Sequence, residues 1–277
     1  PPSIMMVIFA MITYQSAAKL LIAGVIPGLV CAACFMVLIY VMVKLNPKLA
    51  PPLKTKFTWK ERFISLKDSW GVGILGFTII GGILTGVFTP TEAGGLGAAG
   101  AFFLGLITRR LTFKNFMEAV MDTTKTTAMI FLIIATALVL CNFLAISRLP
   151  AVSSDFITSL DVPRVVILTG VVILYIIAGC FMDMTSFMFL TMPIIFPAMM
   201  KLGYDPLWFG VVIVVLCELA LITPPFGMNL FILRAMVPEL TMGEIIQGSF
   251  PFMITYALAV VILSIFPWLA TWLPSLM

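Results

Sequence analysis

Histidine is absent from all 277 residues, and charge is scarce, with Asp, Glu, Lys and Arg making up 10% of the chain. The first absence removes histidine-based metal sites, histidine general bases and Ser-His-Asp triads. No G-x-x-x-x-G-K-[ST] run occurs, which excludes ATP hydrolysis on a Walker-type loop. Cysteine is sparse too: Cys31, Cys34, Cys141, Cys180 and Cys217 all lie in apolar surroundings. Cys31 and Cys34 form a C-x-x-C pair inside a long apolar run, where small packing residues are a better account than a redox or zinc site. With no nucleophile elbow, and one carboxylate in mid-run rather than a pair, an intramembrane enzyme is disfavoured.

Apolar residues take the place of the missing charge. The chain is 62% hydrophobic with a mean hydropathy of +1.18, against about 45–50% apolar in soluble domains. It reads as an integral membrane protein. A spanning helix needs about 20 apolar residues. Leu20–Val43, Thr126–Ile146, Val165–Met182 and Ile254–Leu273 qualify. Continuous runs, rather than alternating ones, point to helices and not a barrel.

The net charge of +4 is clustered, seven of the 16 basic residues lying between Lys44 and Lys67. Arg109, Arg110, Lys114 and Lys125 form a second group. Both groups read as cytoplasmic loops under the positive-inside rule, and not as nucleic-acid contacts. The balanced stretch holding Arg148, Asp155, Asp161 and Arg164 fits the outer side. Pro1 is not an initiator Met, so the chain is expected to be the later part of a longer polypeptide.

The element order is expected as follows. Residues 1–18 form a short half-membrane arm, the second arm of a first re-entrant hairpin. Residues 19–69 hold a span, a basic loop and an amphipathic interfacial helix around Trp59, Phe63, Leu66 and Trp70. Residues 70–162 hold helices broken at 89–94, a second amphipathic segment around Phe113–Met121, and a span over 124–146. Residues 163–240 hold a helix broken at Asp183–Ser186 and a second re-entrant hairpin with its tip at Thr223–Gly227. Residues 241–277 hold the last span, over 244–272.

Two Pro-Pro pairs head similar stretches. Pro1-Pro2 leads to Gly24 and Pro27, and Pro224-Pro225 leads to Gly248 and Pro251. The span after the first pair ends inside and the span after the second ends outside, so the pair reads as an inverted repeat, a plan of secondary transporters. Two G-x-G-x-x-G matches, at Gly71–Gly76 and Gly95–Gly100, lack the strand a dinucleotide site needs and read as close helix packing.

Proline at 224 and 225 removes backbone donors. Carbonyls near Ala220–Ile222 then lack partners, which a small hard cation such as Na⁺ could supply with the Thr223 hydroxyl. A simple proline kink satisfied by its neighbours is the alternative, less favoured because two such tips occur. The helix restarting at Phe226–Asn229 aims its positive end inward, which suits a carboxylate. Asp183, in mid-run, needs a partner: a cation shared with Thr185, or a structural hydrogen bond. Glu92, with Thr89 and Thr91, either caps the helix that starts there or has a functional role. Glu218 and Arg234 either pair, or Arg234 snorkels to the interface.

Phe88-Thr-Pro-Thr-Glu-Ala-Gly94, Gly203-Tyr-Asp-Pro206, Thr223-Pro-Pro-Phe-Gly-Met-Asn-Leu-Phe231 and the opening Pro-Pro-Ser3 resemble the large membrane subunit of TRAP (tripartite ATP-independent periplasmic) transporters. The resemblance covers the whole chain and about the later two-thirds of such a subunit. It implies an all-α polytopic membrane protein of ion-transporter type, with inverted repeats, two re-entrant helical hairpins and broken helices working as an elevator. It further implies Na⁺-coupled import of a small organic anion of C4-dicarboxylate or sialic acid type across a bacterial inner membrane. A periplasmic substrate-binding protein and a small membrane subunit are the implied partners. The resemblance implies two Na⁺ sites near the hairpin tips, one using Pro2-Ser3 with a Ser/Gly-rich segment upstream of this chain, the other the Asp183–Thr185 break and the Thr223–Gly227 tip. Together with the proline and helix-end readings, the expected anion contacts are Pro2, Ser3, Thr185, Thr223, Pro225 and Asn229, and the expected Na⁺ ligands are Asp183, Thr185, Ala220, Thr223 and Gly227. A passive channel or a non-transporting scaffold is the alternative, less suited to two broken hairpins than to rings of polar residues.

Overall fold

The computed structural model describes residues 3–50, 58–59, 61, 70–225 and 227–277, and among them there are helices and no strands. Most of the expected amphipathic helix over 57–70 lies outside the described residues, as do Pro1, Pro2 and Phe226. The helices are α1 (Ile4–Thr13), α2 (Ala17–Ala23), α3 (Val25–Leu45), α4 (Trp70–Leu84), α5 (Pro90–Ile107), α6 (Phe113–Ser147), α7 (Leu149–Ser159), α8 (Arg164–Gly179), α9 (Met184–Lys201), α10 (Pro206–Leu221), α11 (Met228–Met236), α12 (Met242–Ile265) and α13 (Trp268–Thr271). Four described stretches are long and apolar enough to cross a bilayer: Ala17–Leu45, Phe113–Leu144, Met184–Lys201 and Met242–Ile265. Within these helices the backbone groups are satisfied internally, as lipid demands.

The chain divides into two compact units. One comprises residues 1–41 and 133–276, the other chiefly 42–132. In the first, α10 is the centre. Its sequence, Pro206-Leu-Trp-Phe-Gly-Val-Val-Ile-Val-Val-Leu-Cys-Glu-Leu-Ala-Leu221, is apolar on every face except at Glu218, and such a helix is stable only when surrounded. It packs against α1, α2, α8, α9, α11, α12 and α13, and Phe209, Val212, Ile213 and Cys217 are fully buried. Gly210 lets α1 and α2 approach: a Cβ there would lie 2.7 Å from Phe9 and 2.8 Å from Leu20. Phe9 also meets the ring edges of Phe196 (5.8 Å) and Phe209 (6.3 Å).

In the second unit, α4 and α5 lie against each other through small residues. A Cβ on Gly100 would come 2.3 Å from Leu75, and one on Gly97 or Gly71 would come 3.0 Å from Ile79 or Leu104. Gly71, Gly97 and Gly100 of the two G-x-G-x-x-G matches therefore serve helix contact, whereas a Cβ on Gly73, Gly76 or Gly95 would meet nothing within 4 Å. Between the two helices, Thr89 and Glu92 form a reciprocal capping box. The Thr89 N–H and hydroxyl both donate to Glu92 Oε2 (2.8 and 2.9 Å), while the Glu92 N–H donates to Thr89 Oγ1 (3.3 Å).

Two expectations about spans need correction. The expected separate segment over 113–121 is continuous with the span that follows, as α6. No glycine or proline occurs between Phe113 and Ser147, and Thr123 and Thr124 turn their hydroxyls back onto the Ala119 and Val120 carbonyls. The last span stops at Ile265, not 272, because Pro267 cannot donate to the preceding turn. The first expected span, over 19–44, coincides with the stretch Ala17–Leu45, which carries a one-residue turn at Gly24, where Pro27 likewise leaves the Ala23 carbonyl without its helical donor.

Candidate functional site

Two chain breaks meet in the first unit. The first follows α8. Its last turn closes through Cys180, Phe181 and Met182 N–H groups bonded to the Ile177 and Ala178 carbonyls, and α9 starts anew at Met184. Asp183 is the N-cap of α9: its Oδ2 accepts from the Ser186 N–H (2.9 Å) and the Ser186 hydroxyl (3.1 Å). The pattern Asp183-x-x-Ser186 carried this signal, since an acidic N-cap accepts from the third residue of its helix. The carboxylate is exposed, with one oxygen committed to the cap.

The second break follows α10. Ile222 and Thr223 wind a last tight turn, their N–H groups reaching the Leu219 and Ala220 carbonyls (3.2 and 3.1 Å). Pro224 and Pro225, joined by a cis peptide bond, offer no donor, and α11 restarts at Met228 with Gly227 as N-cap. Among the described residues no N–H donates to the carbonyls of Leu221, Ile222 or Thr223. Two of these carbonyls converge. A Cβ placed on Gly227 would lie 2.9 Å from Thr223 O and 3.0 Å from Leu221 O. Only glycine leaves that space open. The Thr223 side chain is buried and donates to Leu219 O (2.7 Å), so its lone pairs remain free to accept.

The breaks touch because Gly179 has no side chain. A Cβ there would stand 2.3 Å from the Ala220 Cβ and 3.3 Å from Met184 Cε. The result is a cleft of about 160 Å³ lined by Gly179, Asp183, Met184, Ala220, Leu221 and Met228 among others. Asp183 and Ala220 thus share one cleft, beside the Thr223–Gly227 tip. Thr185 does not join Asp183; its hydroxyl faces Met5 Sδ at 3.8 Å, across to the start of α1. Ser3, the N-cap of α1, is half-buried and makes no capping bond with its side chain. Asn229 and Pro225 are exposed beside the tip.

Three further residues settle differently from at least one reading of them. Glu92 is taken up by the capping box with Thr89, and Thr91 is exposed. Arg234 does not pair with Glu218; it donates to the carbonyls of Pro238 and Leu240 just past the end of α11. Sequence reasoning also missed a second capping box, Thr241 with Glu244, at the start of α12, although the T-x-x-E spacing marked it. Nor did it find the Tyr175–Thr191 hydrogen bond (2.8 Å) that ties α8 to α9 behind the first break.

The oxygen set at the tip suits a hard monovalent cation. It consists of carbonyls and a hydroxyl, with a carboxylate nearby, and contains no thiolate or imidazole. Among the described residues no cluster of three or more Cys, Asp or Glu side chains could hold a metal by itself. A cation at this tip would take most of its ligands from backbone oxygens.

The long apolar helices, several of them broken, mark a multi-pass integral membrane protein. The chain belongs to the tripartite ATP-independent periplasmic transporter family, DctM component, whose model matches residues 1–269. It is a family of transporter permeases, not of enzymes. The chain is 34% identical over 276 residues to the C4-dicarboxylate TRAP transporter large permease protein of Pseudomonas aeruginosa, covering 99% of the chain and 64% of that relative. It is 30% identical over 277 residues to a sialic acid TRAP transporter large permease protein of Vibrio cholerae (100% and 64%). It is 33% identical over 264 residues to a 2,3-diketo-L-gulonate TRAP transporter large permease protein of Escherichia coli (94% and 61%). The chain thus spans a little under two-thirds of the length of these relatives.

Proposed function

We propose that this chain forms part of the large membrane subunit of a Na⁺-coupled importer for a small organic anion. The observation that carries the reading is the convergence of the Leu221 and Thr223 carbonyls on Gly227, next to the cleft that holds Asp183. Carbonyls released by a Pro-Pro break in a membrane helix are a natural Na⁺ cage. The N-terminus of α11 lies at the same tip, and its free N–H groups and partial positive charge favour a carboxylate. Cation and anion then occupy neighbouring positions, so each raises the affinity for the other, which is the basis of symport.

The relatives' names support the substrate class: C4-dicarboxylates, sialic acid and 2,3-diketo-L-gulonate all carry carboxylate groups. The similar sequence of short arm, capped gap and long span after each break supports the inverted repeat. α1 has 10 residues and α11 has 9; Ser16 caps α2, and Thr241 caps α12. In this reading α10 and α11 form the second re-entrant hairpin, α1 is an arm of the first, and the hairpins move together as an elevator. A periplasmic binding protein delivers the anion, a small membrane subunit completes the complex, and the assembly sits in a bacterial inner membrane.

The test is reconstitution of the full-length complex in liposomes, with the binding protein and labelled C4-dicarboxylate or sialic acid outside. Uptake is expected to require both an inward Na⁺ gradient and the binding protein. Uptake that persists without either one would mark a passive channel and overturn the proposal.

A further inference from the structure

At the opposite end of α8 and α10 from the candidate site, roughly 24 Å away along the 16 residues of α8, lies a larger cavity of about 680 Å³. Its walls are the apolar sides of α8, α10 and the last turns of α12, including Leu168, Val172, Val261 and Ile265. Its mouth is polar and aromatic. The Tyr204 and Trp208 rings stack at 5.2 Å with 13° between planes, and the Arg164 guanidinium stands 5.4 Å from the Tyr204 ring centroid.

Most polar groups in this cavity are already engaged. The Tyr204 hydroxyl donates to Arg164 O (3.0 Å) and the Trp208 indole to Leu263 O (2.7 Å). Thr169 and Ser264 donate to the carbonyls four residues earlier, and one Asp205 oxygen caps α10. Arg164 is different. Its head is exposed and forms no ion pair with any carboxylate among the described residues, where only Lys114–Glu118 and Lys201–Asp155 do so. A lone guanidinium steadied by an aromatic ring, above a long apolar slot at the end of the spanning helix α12, has the two-part chemistry of an amphiphile.

We infer that this cavity is a binding site for a glycerophospholipid, with its phosphodiester on Arg164 and one acyl chain along Leu168, Val172 and Val261. Guanidinium pairs with phosphate through two parallel hydrogen bonds, which a lone ammonium cannot match. Tyr204, half-buried at the rim and stacked on the buried Trp208, has the amphipathic ring favoured at the headgroup level of a bilayer. The apolar walls exclude a fully polar ligand, and the surrounding membrane supplies the lipid at high local concentration. The inference stands apart from the Na⁺ reading, since it shares no residue with the tip.

The experiment uses the full-length complex, purified in detergent and stripped of lipid, then titrated with dioleoyl phosphatidylglycerol or dioleoyl glycerol and read by native mass spectrometry. The wild type is expected to retain one phospholipid and to bind the diacylglycerol at least about tenfold more weakly, the scale of one charge-assisted hydrogen bond. Arg164→Gln is expected to weaken the phospholipid by about tenfold without changing the diacylglycerol. Val261→Trp, on a different helix, fills the slot and should abolish both. Equal binding of the two lipids by the wild type overturns the inference, as does phospholipid binding unchanged in both variants. A photo-crosslinker at position 261 that captures the small membrane subunit instead of lipid overturns it too.

Discussion

The indole N–H of Trp208 donates to the carbonyl of Leu263 across 2.7 Å, joining α10 to α12. The acceptor is a carbonyl that its own helix leaves unmatched, because the residue four positions on is Pro267. In lipid, an orphan carbonyl and a buried indole N–H are each costly, and here they satisfy one another. Trp208→Phe keeps most of the ring volume and removes the donor. It is expected to destabilise the subunit by about 1–3 kcal/mol, the cost of one buried unsatisfied group. A thermal unfolding series in detergent measures this; a melting temperature equal to wild type would show that the Leu263 carbonyl has another partner.

Gly179 and Ala220 set the distance between the two breaks. Gly179→Ala puts a Cβ 2.3 Å from that of Ala220, so the end of α8 must move off α10. Overpacking of this kind costs about 1–3 kcal/mol. Ala220→Gly in the same chain removes the nearer clash. The expected pattern is loss of stability and of uptake in the single variant and substantial recovery of both in the double. Two additive losses would show that the pair is not the contact that matters.

The parts of this fold governed by local chemistry were legible before the structure. The short helix α1, the break at Asp183, the Thr89–Glu92 turn and the break at Pro224-Pro225 each follow from a charge, a cap or a missing donor within a few residues. What escaped depends on distant neighbours. Nothing near Gly179 names Ala220 as its contact, and Trp208 lies 55 positions from its acceptor. The continuity of α6 was obscured by basic residues such as Lys114 and Lys125. They resemble a loop and an interfacial segment, yet no glycine or proline stops the helix. At the candidate site, proline chemistry pointed to free carbonyls, whereas the turning of Thr185 toward Met5 came only with the packing of α1 on α9.

Asp183 caps α9 and lines the cleft at the tip, and two substitutions separate these roles. Asparagine can still accept from the Ser186 N–H but carries no charge; alanine loses both functions. Asp183→Asn is expected to hold its melting temperature near wild type. Asp183→Ala should lose about 1 kcal/mol, as at other N-caps. Both should transport less and need more Na⁺, with the half-saturating concentration raised about tenfold if roughly 1.4 kcal/mol of attraction is lost. Measuring uptake against Na⁺ concentration decides the matter: a normal Na⁺ requirement in Asp183→Asn would leave this residue a cap and nothing more.

Gly227→Ala is the sharpest probe of the tip, because its single methyl group enters the space on which the Leu221 and Thr223 carbonyls converge, at 3.0 and 2.9 Å. Alanine tolerates the backbone angles of an N-cap outside the left-handed region, and Gly227 has φ −49°, so the methyl acts by position rather than by backbone strain. With the carbonyls displaced or covered, Na⁺ stimulation of uptake should fall at least tenfold, while the protein still assembles and the lipid cavity between α8 and α12 still fills. Isothermal titration with Na⁺ checks the same point without transport, and the variant is expected to give no binding heat at the concentration that saturates wild type. Full Na⁺ binding in Gly227→Ala would place the cation elsewhere and leave the Pro-Pro break as a kink.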